Sequence, residues 1–301
     1  MRKITLLLLL SLLLLACNRK RDEAQKYSVS ILPQKYFVER VVGEMFDIDV
    51  LVKPGESPAT YEPTTKQMID LSKTKALFTI GVAFEDNIVP KLNQQYPNLL
   101  IIDTDKDITK HRPASFVELF AEDKHHHQHE TTNDKHHHHE GFDPHIWLSP
   151  NLVKVQVMNI ADYFISAYPE QEKTFTQNRD VFLAELDDVS QEINKIFENA
   201  NNRDFLCFHP AWGYFADEFH LRQIPIEIEG KEPTPQEQQK IIEFAQDNKI
   251  KFIFVQAQFD QRIARSVAQE IGGSVILIDP LAEDYLVNLK YIASKLAETM
   301  K

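Results

Sequence analysis

Two rhythms of apolar residues run through this chain. Short apolar blocks bounded by Gly, Pro or charged residues read as strands, and longer stretches with apolar residues every three or four positions read as helices. The first set is strand Val29 to Leu32, helix Gln34 to Glu44, and strand Ile48 to Val52 ending at Lys53, Pro54 and Gly55. A helix around Lys66 to Lys73, a strand Ala76 to Ile80, a helix around Asn87 to Gln95 and a strand Leu99 to Ile102 continue it. Two long helical stretches follow, Asn151 to Tyr168 and Gln171 to Asn199, broken at Pro169. A second set comprises strand Phe205 to Phe208, a helix from Ala211, a segment near Ile224 to Ile228, and a helix Pro235 to Asp247. It closes with strand Phe252 to Val255, helix Gln261 to Ile271, strand Ser274 to Ile278 and helix Asp284 to Met300. Strands alternating with helices imply parallel sheets. The expectation is an α/β protein of two lobes, residues 27–150 and 200–301, linked by helices over residues 151–199.

The start of the chain follows neither rhythm. Met1, Arg2 and Lys3 form a short positive segment, and Ile4 to Leu15 is a nearly unbroken Leu run, too short to span a bilayer and matching a signal-peptide core. It closes with Leu14, Leu15, Ala16 and Cys17, which resembles a bacterial lipobox; cleavage there would leave Cys17 as a lipidated N-terminus. Residues 18–26, charged and without large apolar side chains before Tyr27, suit a tether. The expected location is the periplasmic side of the cell envelope, on a membrane through the lipid. Cys207 is then the only remaining cysteine, so no intrachain disulfide is available and stability rests on buried cores. Its apolar neighbours mark it as an inert core thiol. The formal charge of -12 argues against nucleic acid and accords with a cationic ligand.

Between Ile102 and Gly141 the periodic core is interrupted. His125, His126, His127, His129, His136, His137, His138 and His139 crowd the stretch from Lys124 to Glu140, where no core could hold them. An expression tag would be terminal and uninterrupted, so an auxiliary metal-attracting loop is the expectation. Imidazole suits zinc, copper and nickel.

In open α/β sheets ligands bind just beyond the carboxyl ends of strands. Three metal-competent side chains stand near such positions: His209 after Phe208, Asp279 after Ile278, and His145 in the turn before Ser149, which is placed to cap the next helix. Two imidazoles and a carboxylate form a zinc set. Singly, each has a plainer reading: His209 as a hydrogen-bonded histidine, Asp279 as a turn cap. Asp143, before Pro144, reads as a turn former able to orient a neighbouring imidazole.

The ordered segments PGESPATYEP (54–63), DPHIW (143–147), HPAWGY (209–214), GKEPT (230–234) and DPL (279–281), with the His-rich insertion, resemble the cluster A-I metal-binding proteins, the zinc and manganese receptors of bacterial ABC importers. The likeness covers nearly all of the mature chain. It implies two α/β lobes joined by a long helix, metal in the interlobe cleft, His145 supplied by the first lobe, and His209 and Asp279 by the second. It also implies an importer permease as partner, a monomeric carrier and no catalysis. The third ligand is histidine in the zinc branch and usually glutamate in the manganese branch; His209 therefore favours Zn2+ over manganese.

One position departs from that pattern, since Ala59 stands where the family usually places a histidine ligand. Water, Glu62 or a loop histidine would then fill the fourth position, or the site is impaired. Three protein ligands and water is also the arrangement of catalytic zinc, which makes an envelope metallohydrolase one rival. No HExxH helix supports it. The other rival is an envelope zinc buffer or partner-binding lipoprotein with a degenerate site.

Overall fold

The computed structural model describes residues 25–113, 141–227 and 231–300. The leader, Cys17, the His-rich loop and the middle of the 224–234 segment lie outside them.

The first lobe contains β1 (Lys26–Val29), α1 (Leu32–Val42), β2 (Asp47–Val50), α2 (Thr65–Leu71), β3 (Ala76–Thr79), α3 (Ala83–Gln95) and β4 (Leu100–Asp103). Its sheet is parallel throughout, in the order β2-β1-β3-β4. β1 lies earlier than the apolar block implied, and Lys26, expected in the tether, opens it. The block's second half, Ile31 and Leu32, leads into a helix because Pro33 supplies the fixed φ of a first helical turn. Gln34 Oε1 accepts from Ser30 N at 2.8 Å, closing that corner.

A three-residue helical turn (Ile146–Leu148) leads into α4 (Pro150–Ala167), and a second (Pro169–Gln171) reverses the chain into α5 (Glu172–Phe197). Ser149 Oγ accepts from Leu152 N at 3.2 Å and caps α4, as expected. At 26 residues α5 spans roughly 39 Å. It packs on α1 of the first lobe and on α9 of the second, and so joins the two.

The second lobe repeats the theme with β5 (Asp204–Cys207), α6 (Gly213–Glu218), β6 (Arg222–Pro225), α7 (Pro235–Asp247), β7 (Phe252–Val255), α8 (Arg262–Glu270), β8 (Ser274–Leu277) and α9 (Tyr285–Thr299), in the parallel order β6-β5-β7-β8. Its strands sort their side chains by the two-residue period. Phe205, Cys207 and Phe254 face the core shared with α4, α5 and the first lobe, whereas Leu206, Phe208, Ile253 and Val255 face a separate core under α7 and α8. Cys207 is fully buried, and burial pushes its thiol pKa up, as befits a core residue. Among the described residues no helix is long and apolar enough to cross a membrane.

Candidate metal centre in the interlobe cleft

The carboxyl ends of the two sheets meet across a cavity of about 360 Å³. From the first lobe come Ser57 to Ala59 after β2 and Gly81 to Ala83 after β3; from the second, His209 and Pro210 after β5, Gln256 after β7, and Pro280 and Leu281 after β8. The segment 141–147, ahead of α4, closes one side with Phe142 and His145. It is tied across the cleft by Trp147 Nε1, which donates to Pro280 O at 2.8 Å, and by Tyr214 Oη, which donates to Asp143 O at 2.9 Å.

The structure brings His145 and His209 together on this cavity, with ring centroids 5.2 Å apart and planes at 73°. Each ring is held from behind by a carboxylate. Asp143, fully buried, accepts from His145 Nδ1 at 2.7 Å and from its backbone N–H at 2.9 Å. Glu227, also buried, has both carboxylate oxygens 3.2 Å from His209 Nδ1. An ionised carboxylate only accepts, so the proton sits on Nδ1 and the Nε2 lone pair of each ring is left for a metal. Phe259 stacks on His209 at 4.7 Å and 21°, restraining the ring further.

A family model described as ZnuA, zinc-uptake complex component A, periplasmic, matches residues 28–299. The chain belongs to the ZnuA family. Among its relatives is the zinc-binding lipoprotein AdcA of Streptococcus pneumoniae, 26% identical over 93% of this chain; the chain spans about half, 56%, of that relative's length. A crystal structure of ZnuA is 37% identical, with TM-score 0.81, covering 92% of this chain and 100% of that one. A zinc-bound ZnuA deletion mutant is 36% identical, with TM-score 0.81, covering 92% and 98%. The two-lobe α/β architecture with its joining helix is thus the family's fold.

Of the other residues singled out from the sequence, Asp279 stands apart. It is exposed, and its Oδ1 accepts from Leu281 N at 2.8 Å, the turn-capping role. Among the described residues no three His, Cys, Asp or Glu side chains converge as a metal would require. Ala59 lies on the cavity wall, whereas Glu62 is exposed and does not line it. Asp143 does orient an imidazole. Glu227 went unnoticed because the apolar segment near Ile224 to Ile228, left without a strand end, contained it; β6 ends at Pro225, which leaves Glu227 just beyond a strand end, where the search for metal-competent groups belonged. Gln256 and Asp86, both on the cavity, carried no sequence signal that set them apart.

Proposed function

We propose that this chain captures Zn2+ in the cleft and delivers it to the permease of an ABC importer, working on the periplasmic side of the envelope as a monomer tethered by lipid on Cys17. The observation that carries the reading is the pair of imidazoles facing one cavity, each backed by a buried carboxylate on Nδ1. Such backing fixes the tautomer and raises the basicity of a ligating ring. The family description and the names of the relatives, a zinc-binding lipoprotein among them, accord with it.

In this reading His145 and His209 supply nitrogen donors, which favour zinc over manganese. Asp279 joins them by exchanging its hydrogen bond to Leu281 N for the metal, and a water completes the tetrahedron. Asp143 and Glu227 are each engaged by an imidazole, so neither serves as a general base; the site is a carrier's rather than a hydrolase's. The His-rich loop from Lys124 to Glu140 collects additional, weaker zinc.

Zinc titration of the soluble protein with that loop deleted tests the assignment. His145→Ala and His209→Ala should each weaken binding by at least a hundredfold, an inner-shell bond being lost. Parent affinity in both variants would refute the site.

A further inference from the structure

Gln256 immediately follows β7 and lines the cavity, on the strand between those that lead to His209 and Asp279. The residue is 1% exposed, yet neither Nε2 nor Oε1 of its side chain makes a hydrogen bond within the protein. Its backbone is fixed, for Gln256 O accepts from Phe259 N at 3.2 Å, in the turn that carries the ring stacked on His209. Gln258 Oε1, on the same wall, is likewise without a partner. A buried amide with no partner destabilises the fold, so a polar amide at this point calls for a ligand that uses it.

We propose that Gln256 is an affinity-determining residue of the cleft: its Oε1 accepts a hydrogen bond from a water bound to the zinc that His145 and His209 hold. This rests on the zinc-carrier reading above. Zinc prefers four ligands, and the imidazoles fill two of them. A metal polarises the O–H bonds of its water, which makes that water a stronger donor than bulk solvent and an amide carbonyl a fitting acceptor. Neighbouring strands lie about 4.8 Å apart, which places the amide beside the imidazole of the adjacent strand end and within reach of the same ion's outer ligands.

The test compares Gln256→Leu, Gln256→Glu and His209→Ala, with the His-rich loop deleted. Zinc affinity is read by competition with a chromophoric chelator, and stability by thermal unfolding of the zinc-free protein. Gln256→Leu should weaken zinc about tenfold, as expected for one hydrogen bond to a metal-bound group. Its zinc-free Tm should hold or rise, because the unpaired amide is gone. Gln256→Glu retains an acceptor oxygen and should bind zinc at least as tightly as the parent. Parent affinity in Gln256→Leu, an equal loss in both Gln256 variants, or a loss that tracks a fall in zinc-free Tm would overturn the proposal. Weakening in His209→Ala alongside parent affinity in Gln256→Leu sinks only the role of Gln256. Parent affinity in His209→Ala as well removes the cleft site itself.

Discussion

Replacing Asp143 by asparagine removes the charge behind His145 while nearly preserving the side chain's volume. In the parent, Asp143 is fully buried and its Oδ1 serves both the ring Nδ1 and the backbone N–H of His145. Gly213 packs so closely that a Cβ there would come within 2.8 Å of Asp143 Oδ2, so the carboxylate has little room to swing away. Loss of such a partner behind a ligating histidine costs about 10- to 100-fold in metal affinity, or roughly 1.4–2.8 kcal/mol. Asp143→Asn should fall in that range, since the amide oxygen still accepts but without charge. Asp143→Ala should fall at its upper end and also lose about 1–3 kcal/mol of stability, because the His145 N–H is left buried without an acceptor. Chelator competition measures the first effect and urea unfolding the second. A double-mutant cycle isolates the mechanism: with His145→Ala already in place, Asp143→Asn should change zinc affinity by less than about 0.5 kcal/mol. Parent affinity in Asp143→Asn, or an equal cost with and without His145, would refute the idea that the carboxylate acts through the ring.

Ala59→His should tighten zinc, because Ala59 shares the cavity with both imidazoles and a zinc–nitrogen bond of about 2.0–2.1 Å would replace one to water; unchanged or weaker binding by chelator competition would mean that another group holds that corner. A separate effect concerns pH. Glu85 is buried, and burial pushes its pKa up to about 7 despite hydrogen bonds from Ser30 Oγ, Ile80 N and Gly81 N. Because the folded value lies above the unfolded one, the folded state holds the proton more tightly, and the resulting stability is full below about pH 4.3 and lost as pH rises through about 7. Urea unfolding across that window should show stability declining with pH in the parent and a flatter profile in Glu85→Gln; parallel profiles would show that Glu85 titrates alike in both states.

Most of the fold was legible because its code is periodic. α7 and β7 have the bounds that the apolar spacing gave, and every expected strand after the first lies within a residue or two of its place. The errors fall where backbone chemistry overrides the apolar pattern. Ile31 and Leu32 look like strand but lie at the start of α1, where Pro33 and the Gln34 cap decide; α3 begins at Ala83, four residues before the expected Asn87, with Pro90 inside it. Of the candidate site, the two imidazoles that share the cavity were legible, because a histidine beyond a strand end or in a turn stands out by its identity. Glu227 and Gln256 were not, because a Glu or Gln near a strand end is ordinary until three-dimensional placement sets one behind an imidazole and the other, unpaired, on a cavity wall.

The same packing limits how far the cleft can open. Phe37 of α1 meets Tyr285 of α9 edge to face at 4.8 Å, and Tyr36 and Phe37 both touch Phe182 of α5. Phe37, Phe182 and Tyr285 are each at most 2% exposed and belong to one core that runs through both lobes. Lys35 to Glu283, at 2.6 Å, and Trp147 to Pro280 add polar ties between them. A wide hinge opening would pull Phe37 away from Tyr285 and expose the faces that the two rings bury against each other. Parting that edge-to-face pair forfeits about 0.5–1.5 kcal/mol, plus about 25 cal/mol for each Å² of apolar contact exposed. Segments that line the cavity without entering this core, such as 57–59 after β2 and the Gln256 to Phe259 turn, can shift at far lower cost. Motion at the cleft should therefore fall to these loop segments, with the lobes held at a nearly fixed separation by α5.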